Sequence, residues 1–203
     1  MNTLLSPSFQ NDQYFILNKR NFDVSLSEIE RIVKEEQISN EPFEKVTIPE
    51  DQINGAIHKI DYSAFEKVNE YFAKGFKHII EKETCLTDLE LVAVRRNILR
   101  ENDSVSMHKD FEGYVIIIDI PRPPIPEENN EEETEEKNRG LTVELKKPFE
   151  GGNILFTKDS GEVVEIELKS DELFVAKCTN NHGVQKVLSG TRESIALFSR
   201  PKA

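Results

Sequence analysis

The sequence predicts a mainly β protein with supporting helices in its N-terminal part, and three observations lead to this prediction. Residues 1 to about 90 contain apolar side chains at helical spacing. From Leu91 onward the chain consists of short runs rich in Val, Ile, Leu and Phe, which Gly, Asp, Asn and Ser interrupt. The length of 203 residues and the hydrophobic content of 37% suit one globular domain. We therefore expect a single domain over residues 1–203, with helical support at 1–90 and a β core at 91–200.

Two helices are predicted in the N-terminal part. A capping-box spacing occurs at residues 25–28, Ser-Leu-Ser-Glu, and again at residues 63–66, Ser-Ala-Phe-Glu. Each is followed by a stripe of apolar side chains at helical intervals. The stripes are Leu26, Ile29, Ile32 and Val33 in the first helix and Phe65, Val68, Phe72, Phe76, Ile79 and Ile80 in the second. We expect both stripes to face the core and the helices to support a sheet.

Nine short strands are predicted from Leu91 onward, because each run combines β-branched or aromatic residues with flanking turn residues. They are Leu91–Asn97, Val105–Asp110, Tyr114–Ile120, Leu141–Leu145, Asn153–Phe156, Glu162–Leu168, Glu172–Cys178, Gly183–Leu188 and Glu193–Ser199. Short strands in this number are typical of a β sandwich or a β barrel.

One segment, Pro121–Arg139, interrupts the strand pattern. It begins with four closely spaced prolines and continues through the acidic run Glu127–Glu136. Such a composition offers no apolar face, so we expect a solvated loop. Its length suggests either a lid or a tolerated insertion, and we favour the insertion.

The composition disfavours several classes of protein. The formal net charge is −12, whereas nucleic-acid binding needs clustered Lys and Arg. No stretch approaches the roughly 18 apolar residues of a membrane helix, and residues 1–10 lack a basic segment followed by an apolar one. We therefore expect a cytoplasmic protein with neither a membrane nor a nucleic acid as partner.

His108 and Asp110 form the first candidate site. They are two residues apart on a predicted strand, so their side chains leave the same face and can chelate one metal ion. His182, in the segment Asn-Asn-His-Gly, is the obvious third ligand. Two imidazoles and one carboxylate form the facial triad of non-haem iron(II) enzymes. The spacing alone leaves open an ordinary polar pair at the end of a strand.

Arg192 and Ser194 form the second candidate site. Arg192 follows His182 by ten residues, and Ser194 leaves the same face of the last predicted strand. A guanidinium fork binds a carboxylate in a directional way, and a hydroxyl adds another donor. We expect both residues close to His182 if the last two strands form a hairpin. A surface position for Arg192 is the alternative.

Other polar residues are not assigned to a site. Cys85 and Cys178 are far apart and are expected to be ordinary core thiols. Cys178 lies four residues before His182, but a thiolate suits zinc better than iron. The group Arg95, Arg96, Asn97 and Arg100 precedes the metal motif. These side chains could face the mouth of a substrate site, but we favour exposure to solvent.

Taken in order, five motifs resemble those of the 2-oxoglutarate- and iron(II)-dependent oxygenase superfamily, particularly its prolyl-4-hydroxylase-like branch. They are Met107–Asp110, Gly151–Phe156, Asp171–Val175, His182–Val187 and Ser189–Ser194, and the matching region covers about Leu91–Arg200. The resemblance implies a double-stranded β-helix, or jelly roll, with helices packed on one sheet.

The resemblance also implies an activity. Iron(II) would be held by His108, Asp110 and His182, with 2-oxoglutarate and dioxygen as co-substrates. Arg192 and Ser194 would hold the 5-carboxylate of 2-oxoglutarate. The expected reaction hydroxylates an amino-acid, peptidyl or protein side chain and releases succinate and carbon dioxide. Asp110 disfavours a related halogenase, in which chloride takes the place of this carboxylate.

Two departures and two alternatives accompany this expectation. Val105, Ser106 and Met107 occupy a stretch where prolyl hydroxylases often have tyrosines, and Arg192 stands where many of them have Lys. The chain could therefore be an oxygenase of the same fold that acts on another small metabolite. It could also be a non-catalytic jelly-roll binding module. A cupin is disfavoured because the chain lacks a His-x-His pair with a nearby Glu.

Overall fold

The structure is a computed structural model, and it describes residues 13–35, 53–54, 56–59, 62–84, 87–110, 113–120 and 149–202. Three features of the sequence lie outside the described residues: the segment Pro121–Arg139, the predicted strand Leu141–Leu145 and Cys85. Within the described part, no helix is both long and apolar enough to cross a membrane.

Among the described residues of the N-terminal part there are three α-helices: α1 (Asp23–Glu35), α2 (Tyr62–Tyr71) and α3 (Lys77–Thr84). A π-helical turn, Phe72–Phe76, joins α2 to α3, and a 3-10 turn, Lys19–Phe22, leads into α1. Both helices predicted from capping boxes are confirmed. The second is longer than one regular helix because the π turn continues it into α3.

The apolar stripes of these helices face the core, as predicted. Ile29 and Val68 are fully buried, and Phe76 stacks on Phe22 with 4.4 Å between ring centroids. They share one cluster with side chains of the larger sheet such as Ile118 and Leu197. Burial of each large apolar side chain contributes about 1.5–3 kcal/mol, so this contact attaches the helices to the sheet.

Twelve strands complete the described fold. They are β1 (Tyr14–Asn18), β2 (Ile53–Asn54), β3 (Ala56–Lys59), β4 (Leu89–Arg100), β5 (Ser104–His108), β6 (Tyr114–Asp119), β7 (Phe149–Gly151), β8 (Ile154–Thr157), β9 (Val163–Ile166), β10 (Glu172–Lys177), β11 (His182–Val184) and β12 (Val187–Pro201). The first three lie in the part for which the sequence pattern predicted only helices.

The strands form two antiparallel sheets. The larger sheet has the order β1-β10-β6-β12-β4-β3, with β7 paired to β12, and the smaller sheet has the order β2-β5-β11-β8-β9. From β4 onward the chain passes repeatedly from one sheet to the other. This is the topology of a double-stranded β-helix, or jelly roll, and it confirms the fold that the resemblance implied.

The two faces of β12 separate the outside of the jelly roll from its interior. Ile195 and Leu197 belong to the cluster shared with the helices, whereas Ala196 and Phe198 pack in the cluster between the sheets. Since side chains alternate along a strand, Arg192 shares the inner face with Ala196 and Phe198. The strand thus directs Arg192 into the interior between the two sheets, which we call the chamber.

Two details of the strand prediction are wrong. The predicted strand Gly183–Leu188 is divided, because β11 belongs to the smaller sheet and β12 begins in the larger one. β11 and β12 therefore do not form the hairpin on which the expected closeness of Arg192 to His182 depended, and β11 pairs with β5 and β8 instead. In addition, β5 ends at His108, so Asp110 lies just beyond the strand on which the sequence placed it.

Candidate metal centre

His108, Asp110 and His182 come together in the structure. Their ligand atoms all lie within 4.8 Å of one another. The Oδ2 atom of Asp110 is 3.2 Å from Nε2 of His182 and 3.7 Å from Nε2 of His108. The three donors therefore converge on one point, as the spacing of the motifs predicted.

The pairing of β5 with β11 produces this convergence. His108 is the last residue of β5, His182 is the first residue of β11, and the two face each other in the register of the smaller sheet. The backbone N–H of Asp110 donates to the carbonyl of Cys178 at 3.0 Å. This contact fixes the chain directly after β5 and turns the carboxylate toward both imidazoles.

Both imidazoles are oriented by the main chain. Nδ1 of His108 lies 2.9 Å from the carbonyl oxygen of Ser106, and Nδ1 of His182 lies 2.9 Å from that of Asn180. A carbonyl oxygen only accepts, so each Nδ1 must donate its proton. When the ring is neutral, the lone pair then lies on Nε2, the atom that faces Asp110, and this is the tautomer that a metal-binding histidine needs.

The electrostatics of the site favour the ligand forms of His108 and Asp110. Burial lowers the pKa of His108, which keeps its ring neutral. Burial opposes ionisation of Asp110, but in the metal-free site a proton on Nε2 of His182, donated to Oδ2, outweighs burial and lowers the pKa of this carboxyl. A neutral imidazole and an ionised carboxylate are the forms that bind a divalent cation.

Gly183 allows β11 to approach β5 closely. A Cβ atom added at this residue would lie 2.6 Å from the carbonyl oxygen of Val105 and 3.1 Å from the amide nitrogen of Met107. Both contacts are with backbone, which cannot move aside easily. The residue directly after His182 therefore has to be glycine for the two histidines to meet.

Arg192 lies inside the chamber, so a surface position for this residue is excluded. Its Nη2 atom is 2.7 Å from Oδ1 of Asp119 in β6. Ser194 is also buried and faces Asp119 in the register of β12 with β6. Gly152, with φ of +65°, leaves the room in which the Arg192 side chain runs. The sequence predicted Arg192 and Ser194 for this chamber but not Asp119.

Several inward-facing polar groups lack a hydrogen bond. Among the described residues, no hydrogen-bond partner is found for the buried atoms Arg95 Nε, Asn97 Oδ1, Asp119 Oδ1, and Nε and Nη2 of Arg192. Arg192 and Asp119 are close enough for an ion pair, although the direction of the contact is not that of a hydrogen bond. Each unsatisfied buried group costs about 1–3 kcal/mol, so the arginine N–H groups suit a ligand with acceptor oxygens such as a carboxylate, whereas the two oxygens suit a donor.

The expectation that Arg95 and Arg96 are exposed to solvent is wrong. Arg95 is partly buried, and its guanidinium carbon lies 4.6 Å from the centre of the Phe198 ring. Burial lowers the pKa of Arg95, and the charge of Asp110 opposes that shift. Arg96 points to the opposite face of β4 and pairs with Glu193 at 2.6 Å. Alternation places the two arginines on opposite faces of β4, and the register with β12 decides that the face of Arg95 is inside.

Cys178 lies next to this region but does not join the donor group. It is fully buried, and burial raises the pKa of its thiol, so the thiolate form is disfavoured. The group of converging donors consists of the two histidines and the aspartate. Cys178 is therefore the core thiol that the sequence predicted.

The fold and the site together define a jelly-roll protein with a candidate centre for one metal ion. No family model and no curated sequence matches the chain. Solved structures do match it. An oxidoreductase of the 2OG-Fe(II) oxygenase family from Burkholderia pseudomallei aligns with a TM-score of 0.65 and 12% identity, over 95% of this chain and 87% of that one.

Two further structures agree. A Pseudomonas putida prolyl-4-hydroxylase aligns with a TM-score of 0.60 and 14% identity, over 100% of both chains. An alpha-ketoglutarate-dependent non-heme epimerase from nogalamycin biosynthesis aligns with a TM-score of 0.59 and 12% identity, over 95% of this chain and 79% of that one. The chain therefore has the fold of the 2-oxoglutarate- and iron(II)-dependent oxygenases, and prolyl-4-hydroxylases are among the proteins that share it.

Proposed function

We propose that this chain is an iron(II)- and 2-oxoglutarate-dependent dioxygenase that hydroxylates an amino-acid, peptidyl or protein side chain and releases succinate and carbon dioxide. The observation that carries the proposal is the convergence of His108, Asp110 and His182, whose ligand atoms lie within 4.8 Å of one another. The fold also supports the proposal, since it is shared with iron(II)- and 2-oxoglutarate-dependent oxygenases.

The three donors fit iron(II). Two neutral imidazoles and one carboxylate on the same side of an ion leave coordination positions open on the other side. When bound there, iron(II) would supply the coupled oxidation of 2-oxoglutarate and substrate by dioxygen. The protein's own contribution is to hold both Nε2 atoms and the carboxylate in place through the backbone contacts of Ser106, Asn180 and Cys178.

Arg192 and Ser194 would hold the 5-carboxylate of 2-oxoglutarate. Both side chains are buried on the inner face of β12, where a charge-assisted hydrogen bond is stronger than at an exposed position. Nε of Arg192 has no hydrogen-bond partner within the described residues, and only Nη2 contacts Asp119, so the guanidinium still has a donor for a ligand. Phe156 and Phe174 are buried in the apolar cluster between the sheets, with ring centroids 5.8 Å apart.

Two classes of primary substrate are candidates. Structural similarity to a prolyl-4-hydroxylase supports an amino-acid or peptidyl substrate. An epimerase from nogalamycin biosynthesis is about as similar, and Val105, Ser106 and Met107 replace tyrosines that prolyl hydroxylases often have before the first histidine. The second candidate is therefore an oxygenase of the same fold that acts on a small metabolite.

Succinate formation tests the proposed activity. The protein is loaded with iron(II) without oxygen, supplied with 2-oxoglutarate and exposed to dioxygen, and succinate is measured. We expect the wild-type protein to form succinate and His182→Ala to form none. His78→Ala is the matched control, because His78 is an exposed histidine of α3 far from the donor group. A wild-type protein that binds iron but forms no succinate would support a non-catalytic binding module instead.

The two substrate classes are then separated by product analysis. Candidate amino acids, proline-containing peptides and small metabolites are incubated with the active protein, and mass spectrometry detects the gain of one oxygen atom. A product from the peptide set alone supports the first candidate, and a product from the metabolite set alone replaces it with the second.

A further inference from the structure

A second arginine of the chamber, Arg95, lies at the end nearer the candidate metal ligands. In the register of β4 with β12 it faces Ala196, whereas Arg192 lies four residues earlier on β12. Both arginines are on the inner face. At about 3.3 Å per residue, their positions are roughly 13 Å apart along the strands. The chamber thus has a basic group toward each end.

The environment of Arg95 leaves it able to bind an anion. Its guanidinium carbon lies over the Phe198 ring, 4.6 Å from the ring centre, and this contact uses none of its N–H groups as hydrogen-bond donors. The buried Nε atom has no hydrogen-bond partner among the described residues. The charge of Asp110 acts on Arg95, so the guanidinium is within electrostatic range of the candidate metal site.

We propose that Arg95 donates hydrogen bonds to the 1-carboxylate of the 2-oxo acid co-substrate, the carboxylate beside the keto group. This inference rests on the proposed function. Arg192 then binds the distal 5-carboxylate and Arg95 the proximal one. The guanidinium groups keep a similar spacing, because that of Arg192 contacts Asp119, opposite Ser194, and that of Arg95 lies over Phe198, four residues further along β12. An extended five-carbon dicarboxylate with charge-assisted hydrogen bonds of about 2.8 Å at each end suits this interval.

The alternative ligand for Arg95 is a carboxylate of the primary substrate. The two assignments differ in what they predict for 2-oxo acids that lack the distal carboxylate. Such an acid keeps the groups that would bind the metal and Arg95 but has nothing for Arg192 to hold. 2-Oxopentanoate has the same five-carbon chain as 2-oxoglutarate without the 5-carboxylate. Its affinity therefore reports the contacts at the metal and at Arg95 without a contribution from Arg192.

The test is a binding titration of the full chain loaded with iron(II) under anaerobic conditions, in which the charge-transfer absorbance of the iron–2-oxo acid complex gives Kd. Each variant is titrated with 2-oxoglutarate and with 2-oxopentanoate. We expect Arg95→Gln to weaken the binding of both acids, raising each Kd by about tenfold or more, because a hydrogen bond to a charged group is lost in each complex. Arg192→Gln should raise the Kd of 2-oxoglutarate alone.

Two further variants complete the design. Arg95→Lys keeps the charge but loses the planar fork, so both acids should bind with affinities between those of the wild type and Arg95→Gln. It also provides the measurement if Arg95→Gln fails to fold. Arg200→Gln is the matched control, since Arg200 is an exposed arginine of the same strand, β12, paired with Glu90, and should leave both affinities unchanged.

Unchanged affinity for both acids in the Arg95 variants overturns the inference. If those variants also lose substrate oxidation, Arg95 binds the primary substrate instead. Loss of iron from Arg95→Gln also overturns it, because Arg95 would then support the metal ligands. A wild-type protein that binds iron but neither acid refutes the proposed function as well. Normal 2-oxoglutarate binding with no effect of Arg95 refutes this inference alone.

Discussion

Arg192 of β12 and Asp119 of β6 form an ion pair inside the jelly roll, with Nη2 and Oδ1 2.7 Å apart. Their side chains are only 2% and 13% exposed, so the pair is largely shielded from solvent. A carboxylate of the protein thus already contacts the arginine that we assign to the co-substrate. The 5-carboxylate of 2-oxoglutarate would have to share that arginine with Asp119 or compete for it.

Replacement of Asp119 by Asn should tighten 2-oxoglutarate binding. The neutral amide removes a negative charge that would repel the incoming carboxylate, and we expect Kd to fall on the order of tenfold. Without ligand the same variant should be less stable by roughly 3 kcal/mol, because Arg192 is left buried and unpaired. Thermal unfolding with and without 2-oxoglutarate measures both effects. Weaker binding in Asp119→Asn would instead show that Asp119 orients Arg192 for the ligand.

The sequence was sufficient to predict the candidate ligands but not how the fold brings them together. His108, Asp110 and His182 carry chemistry that spacing and residue type reveal. Their meeting depends on the pairing of β5 with β11, which no local pattern specifies. No local pattern shows that β11 and β12 do not form a hairpin either. The chain changes sheets between them within a continuous run of strand-forming residues.

Arg95 and Asp119 escaped prediction for a physical reason. Which face of β4 is inside depends on the register with β12, and that register shifts at an irregularity between Phe198 and Ser199. Simple alternation from the apolar start of β4 therefore does not carry through to Arg95. Asp119 looks like an ordinary strand-end carboxylate, and only its alignment with Ser194 across two strands reveals its place in the chamber.

The strands of the N-terminal part were also missed. β1 is a short edge strand with the sequence Tyr-Phe-Ile-Leu-Asn, and it exists because it pairs with β10. Isolated pairs of short strands are marginal in water, so such a segment gains its structure from the sheet that it joins. Sequence patterning predicts helices with their own amphipathic stripe more readily than strands of this kind.

Replacement of Arg192 by Ala should weaken 2-oxoglutarate binding by at least tenfold, because hydrogen bonds to a charged group contribute about 1.5–3 kcal/mol net. Iron should still bind, since the donor group lies at the other end of the chamber. Anaerobic calorimetry of the iron-loaded protein measures the affinity, with Arg200→Ala as control. An unchanged Kd would remove Arg192 from the co-substrate site.

Replacement of Asp110 by Ala should abolish stable iron binding and succinate formation, because two imidazoles seldom hold a divalent ion well without the carboxylate. Elemental analysis after anaerobic loading measures the iron content. Asp88→Asn is the control, since Asp88 is an exposed aspartate paired with Lys77 and does not belong to the donor group. Wild-type iron content and turnover in Asp110→Ala would refute the ligand assignment.

Replacement of Gly183 by Ala should impair the metal centre without changing a ligand. The added Cβ would lie 2.6 Å from the carbonyl oxygen of Val105, so β11 and β5 must separate and His182 must move relative to His108. We expect weaker iron binding together with a loss of stability of about 1–3 kcal/mol, as for other overpacked sites.

Gly161→Ala is the control that separates a loss of stability from a loss of iron binding. Gly161 has φ of +86° and open space around it, so its substitution should cost about 1–2 kcal/mol through backbone strain and leave iron binding intact. Equal iron affinity in both variants would show that the smaller sheet can relax around the added methyl group, and that close approach of β11 to β5 is not required for the site.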